Sequence, residues 1–260
     1  MTHDVPPYTT DLIQGTGLIH ETIILAPLYE PYMIERQLLD RVMAEDLLST
    51  ATRTRAGHIV RYFFRRYVKP DPAIPGYLAR LRQNGVSIDD LSQIMFIYTA
   101  RANSILADFV VQDYHEQVRK GHEGMDILAT RTFVERVVAE GKTSRAWSHT
   151  TMRSLGQHLT ATLIDFRLMN LAKNFLPFFM RDLTANYLLH ELHFRGIPDH
   201  DLTDAPEWAL FGLGRYDVLR IMERLANQSH FIYQSSGELV RISWQYPTMN
   251  DCLSGIIRPN

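Results

Sequence analysis

The densest group of potential metal ligands is Leu189-His190-Glu191-Leu192-His193, followed by His200 and Asp201. Imidazole and carboxylate side chains are what a divalent metal needs if it is to activate water. The spacing opposes that reading. A zinc hydrolase sets two histidines four residues apart on one helix face, whereas His190 and His193 are three apart and Glu191 points elsewhere. The plainer expectation is a run of partly exposed helix residues and no metal site. No phosphate loop, nucleophile elbow, dinucleotide fingerprint or deaminase signature occurs, so no catalytic residue and no cofactor is expected.

Binding chemistry is better represented. Between Ser49 and Pro70 stand Arg53, Arg55, His58, Arg61, Arg65, Arg66 and Lys69, without one acidic residue. At about 100° per residue, Arg55, His58, Arg61, Arg65, Arg66 and Lys69 fall within an arc of about 140° on a helix. Ala56, Ile59, Val60, Phe63, Phe64, Tyr67 and Val68 take the opposite side. One face should pack and the other should meet solvent as a cationic stripe, with Tyr62 in its middle. Guanidinium forks suit phosphate oxygens and guanine edges, and a tyrosine can lie on sugar or base. The competing reading is a solvated face, or one paired internally with Asp40, Glu45 and Asp46.

A weaker patch joins Lys142, Arg145, Arg153, Arg167 and Lys173, opposed only by Asp165, with His149 and His158 nearby. Ser148, Thr150 and Thr151 mark a helix start that could hold a phosphate, though ordinary capping explains them equally well. Towards the C-terminus, Arg215, Arg220, Arg224 and Arg241 are interleaved with Asp217, Glu223 and Glu238. The aromatic run Phe175, Phe178 and Phe179 reads as core, with a docking surface as the alternative.

The whole chain of 260 residues is 45% apolar and carries 27 Lys and Arg against 29 Asp and Glu. At a net charge of −2 there is no general attraction to nucleic acid or anionic lipid, so any nucleic-acid site must be a local patch. Cys252 is the lone cysteine, which excludes an internal disulfide and agrees with a cytoplasmic setting. The start Met-Thr-His-Asp-Val-Pro-Pro lacks a secretory pattern, and no apolar run approaches membrane-spanning length.

The elements that must carry these residues are mainly helices. Apolar spacing predicts helices over 18–29 and 34–48, then a basic helix over 50–69 with Ser49, Thr50 or Thr52 as its cap. The three prolines of 69–76 predict a stiff connector. A short helix over 77–84 and one long or gently bent helix to Lys120 should follow, opened by Ser87 with Asp90. Gly-His-Glu-Gly at 121–124 is the best boundary, dividing an N-terminal helical domain of 1–120 from a C-terminal one of 121–260. Helices are then expected over 131–140, 149–169, 179–194 and 216–227. Between them, 207–211 forms a short helix and Gly212-Leu-Gly214 a turn. The β-rich runs of 230–244, around Ser-Ser-Gly, read as a hairpin, which completes the element order of a winged helix.

Several segments are familiar. Tyr8-Thr-Thr-Asp-Leu-Ile-Gln-Gly-Thr-Gly-Leu-Ile-His-Glu-Thr22 resembles the N-terminal segment of the BrxA family of BREX phage-defence accessory proteins, and 49–69 resembles that family's basic helix. Trp147-Ser-His-Thr-Thr-Met-Arg-Ser-Leu-Gly-Gln157 and the closing run 234–244 are similar in the same order. The resemblance implies an all-helical, two-part protein with helix-turn-helix-like elements that binds double-stranded DNA. It also implies company: a methyltransferase, an ATPase and a phosphatase-like protein of the defence system. Some relatives are labelled inner-membrane proteins, which this composition does not favour. An RNA-binding or transcription-regulating protein and a protein scaffold remain the alternatives.

Overall fold

The computed structural model describes residues 7–49, 52–228, 231–236 and 239–257. It is mainly helical with one small hairpin, as the periodicity predicts. Helices α1 (Ile19–Leu25) and α2 (Glu35–Ala44) occupy the first two predicted segments, α1 running on into a 3-10 turn. Helix α3 (Arg53–Phe63) starts at Thr52, whose hydroxyl accepts from the Arg55 amide at 3.2 Å. Of the other two candidate caps, Thr50 lies outside the described residues.

Past Phe63 the chain continues as a wider turn, Phe64–Val68, in which the Lys69 amide reaches back five residues to the Phe64 carbonyl at 2.8 Å. The proline segment is not a connector throughout. Helix α4 (Ile74–Gln83) begins inside it, because Pro75 sits in the first turn where a missing amide hydrogen costs nothing.

The expected long helix is three pieces: α5 (Ile88–Ala102), α6 (Ser104–Phe109) and α7 (His115–Arg119), the last two joined by a second wide turn. Composition alone, without Gly or Pro, does not reveal the break. Asn103 makes it by leaving helical geometry and donating its side-chain amide to the Thr99 carbonyl at 2.8 Å. Among the described residues no single helix is long and apolar enough to cross a membrane; α5 and the α6–α7 stretch pass that test only as a sharply bent pair.

Helix α8 (Ile127–Ala139) begins earlier than predicted because Asp126 caps the Leu128 amide at 2.9 Å. Ser148 opens α9 (His149–Asp165), accepting from the Thr151 amide at 3.2 Å. Helix α10 (Asp182–Phe194), a 3-10 turn over Pro206–Phe211, a left-handed Gly212 and α11 (Arg215–Ala226) follow. Strands β1 (Phe231–Ser236) and β2 (Leu239–Trp244) pair antiparallel with Phe231 opposite Trp244 and Ser236 opposite Leu239. His230, Gly237 and Glu238, named above for the hairpin and its turn, lie outside the described residues. Helix α12 (Met249–Ile257), unforeseen, closes the chain and buries Met249, Cys252 and Leu253.

Two compact units result, one from Met1–Ala73 with Tyr98–Phe178 and the other from Ile74–Ile97 with Phe179–Asn260. The expected boundary at 120/121 falls inside the first, and each unit draws on two stretches of chain. In the first, α3 buries Ala56, Ile59, Val60 and Phe63, and a chain of ring contacts, edge-on except for the tilted pair Phe63 and Tyr67, runs Tyr29, Phe64, Phe63, Tyr67, Tyr98. The second centres on Leu188, Leu189, Val218, Met222 and Phe231, with Phe96 edge-on to Phe211 at 6.0 Å. Its hairpin is pinned by Asp199, whose carboxylate accepts from the Ile242 amide at 3.3 Å and the Trp244 indole at 3.2 Å.

Candidate nucleic-acid interface

The inner face of α3 and its wide turn is as helical phase predicts. Ile59, Val60, Phe63, Phe64 and Tyr67 are buried, while Arg53, Arg55, Arg61 and Lys69 are exposed. His58 and Arg65 are half-buried. The margin of the stripe departs from prediction. Tyr62 is 5% exposed and Arg66 1%, so neither lies open on a cationic surface.

The cause is a strap from the N-terminal segment. Residues 11–17 run along the edge of α3 that holds Tyr62 and Arg66. Gly15 rests on the Tyr62 ring so closely that a β-carbon there would stand 2.7 Å from it. The Arg66 guanidinium donates to the carbonyls of Gly15 and Thr16 at 2.6 Å and of Gly17 at 3.0 Å. Burial pulls its pKa below the usual arginine value, though Tyr67 and Tyr62 act in the other direction. Its charge therefore organises a loop rather than meeting solvent. Burial likewise raises the Tyr62 hydroxyl, against the pull of Arg66, Arg61 and Arg55.

The same strap reaches the second basic patch. The Tyr8 amide donates to the Lys142 carbonyl at 2.8 Å, and the Tyr8 hydroxyl donates to Asp108. At the other end the Gly17 amide donates to Asp165 of α9 at 2.8 Å, where a β-carbon would come within 2.6 Å of the Asp165 side chain. The paired glycines are thus needed for close approach on both sides. Of the second patch, Lys142 pairs with Glu140 at 2.8 Å, while Arg145 and Arg153 are exposed. Ser148 is occupied in capping, and its hydroxyl also meets that of Thr151 at 2.9 Å.

Internal acids engage part of the stripe. Arg53 pairs with Asp40, an internal partner foreseen in the sequence, and Arg65 pairs with Asp11, which was not. Arg55 donates to the Gln14 carbonyl at 2.7 Å. Glu45 turns instead to Arg41, at 3.7 Å. Arg61 and Lys69 make no ion pair among the described residues. Asp11 escapes a sequence reading because it lies 54 residues from Arg65; the glycine pair beside it was the available signal.

Towards the C-terminus three of the four arginines named above are paired, while Arg241 is exposed. Arg215 pairs with Asp204, Arg220 with Asp217 at 2.8 Å and Arg224 with Asp182 at 2.6 Å. His190 and Glu191, expected to be partly exposed, are buried. The His190 Nδ1 lies 2.9 Å from the Asn186 carbonyl, and its ring packs against Trp244 at 4.9 Å. The His193 ring lies nearly parallel to that of Trp244 at 4.1 Å, which makes it a packing partner of the hairpin. No group of three potential metal ligands converges among the described residues. In the aromatic run, Phe175 meets Tyr114 edge-on at 5.2 Å, but Phe179 is 78% exposed, so that part of the run is not core.

The family model of BrxA matches residues 6–191. The chain belongs to the BrxA family. The match takes in the strap, α3 and the Ser148 cap, whereas the hairpin and α12 lie beyond it. A crystal structure of an uncharacterized protein from Magnetospirillum magneticum is similar in fold, with a TM-score of 0.59 at 17% identity, covering 73% of this chain and 95% of that one. Among curated proteins none matches.

Proposed function

We propose that this BrxA-family chain is a non-enzymatic, DNA-binding accessory protein of a BREX antiphage system, acting in the cytoplasm beside other components of that system. The observation that carries the reading is the exposed part of the α3 stripe, Arg53, Arg55, Arg61 and Lys69 with the half-buried His58 and Arg65, in a chain of net charge −2. Concentrating cations on one helix of an otherwise acidic protein is what backbone electrostatics requires. In this reading the order of α2 and α3 is that of a helix-turn-helix, the exposed Arg145 and Arg153 are further phosphate contacts, and the order of α11 and the hairpin is that of a winged helix.

Binding of this kind is nearly independent of sequence, because phosphate contacts position a protein without reading bases. With Tyr62 and Arg66 withdrawn, about three phosphates are within reach, and log affinity should fall against log salt with a slope of roughly −3. A titration of a short duplex at several salt concentrations, with structured RNA as competitor, tests this. A flat salt response, or preference for the RNA, would overturn it.

A further inference from the structure

We infer that the carboxylate of Asp11 is a built-in competitor for nucleic-acid phosphate at Arg65, so that the strap limits how much of the α3 stripe is available. The inference rests on the DNA-binding reading above and adds an autoinhibitory contact to the same site.

Four features support it. Asp11 and Arg65 form an ion pair in which each side chain keeps 33% of its surface open, so a phosphate oxygen can approach the guanidinium without unfolding anything. Arg65 is also held by the Ala102 carbonyl at 3.3 Å, which keeps its head at the surface when the carboxylate leaves. The strap stays in place without Asp11, because Arg66, Gly17 with Asp165, and Tyr8 with the Lys142 carbonyl and Asp108 anchor it on both sides. Finally, Arg61, Arg65 and Lys69 succeed one another at four-residue spacing, and Arg65 is the member with an acidic partner while Arg61 and Lys69 have no ion pair among the described residues. A carboxylate offers a guanidinium fork the same planar pair of oxygens that a phosphate does.

The experiment compares the full chain with Asp11→Asn, Arg65→Ala and the double variant, using a short DNA duplex of arbitrary sequence across a salt series. Freeing one phosphate contact should steepen the log–log salt slope by about 1 in Asp11→Asn. Affinity at low salt should rise by roughly three- to fivefold, the scale of a part-exposed ion pair. In the Arg65→Ala background the same substitution should gain neither. An equal gain in both backgrounds would mean that only overall charge had changed, and would overturn the inference, as would an unchanged Asp11→Asn when the parent chain binds. If the parent chain itself does not bind the duplex, the underlying reading fails instead. Asp11→Ser serves if Asp11→Asn does not fold.

Discussion

Gly15 and Tyr62 are in direct contact, glycine backbone against aromatic ring, at a distance that leaves no room for a β-carbon. An aromatic side chain that helical phase assigns to a solvent-facing stripe is thereby made part of the core. Gly15→Ala should cost about 1–3 kcal/mol, the usual penalty of overpacking against a ring that cannot swing away. Denaturant unfolding of the variant measures it. A midpoint unchanged from the parent would mean the strap is not seated on Tyr62.

Arg66 should matter far more to stability than its neighbours on the helix. It is buried and supplies the donors for the carbonyls of Gly15, Thr16 and Gly17. Arg66→Ala leaves those acceptors without a partner and should destabilise by about 3–5 kcal/mol. Arg66→Lys should rescue little, since an ammonium cannot span the three carbonyls as a planar fork does. Equal melting of Arg66→Ala and Arg61→Ala would contradict this.

For Arg61 and Lys69 the expectation is reversed. Both are exposed and make no ion pair among the described residues. The double change to Ala should leave folding within about 0.5 kcal/mol of the parent. Duplex affinity should drop, and the salt slope should flatten by up to about 2, because each lost phosphate contact removes one counterion-release term. Retained affinity and slope in a folded double variant would move the site to Arg145 and Arg153.

A pH dependence follows from His193, stacked on Trp244. Burial lowers its pKa from the ordinary 6.5, and Asp199 opposes that shift. The unfolded chain therefore binds the proton more readily than the folded one. The stabilising contribution is fully present above about 6.5, the unfolded value, and is lost as pH falls towards and through the lower folded one. Tryptophan emission should report loosening of the hairpin on mild acidification, and His193→Gln should remove that component. Stability that rises on acidification through this range would reverse the assignment.

What the sequence by itself determined is local. Helical periodicity in α3 separated Ile59, Val60, Phe63 and Tyr67 from the cations, and Thr52, Asp90 with Ser87, and Ser148 marked helix starts, because caps and phases depend on residues three or four apart. Only the tertiary structure decided which part of the basic stripe is open. The strap reaches Arg66 across 49 to 51 residues and Asp11 reaches Arg65 across 54, while the hairpin buries His190 against Trp244. A helical wheel assigns a residue to a face but carries no information about what distant chain lies on that face. The glycines at 15 and 17 allow the strap to approach closely, and the buried Arg66 shows what holds it: a guanidinium at the edge of an apolar face is stable there only when backbone carbonyls replace its water.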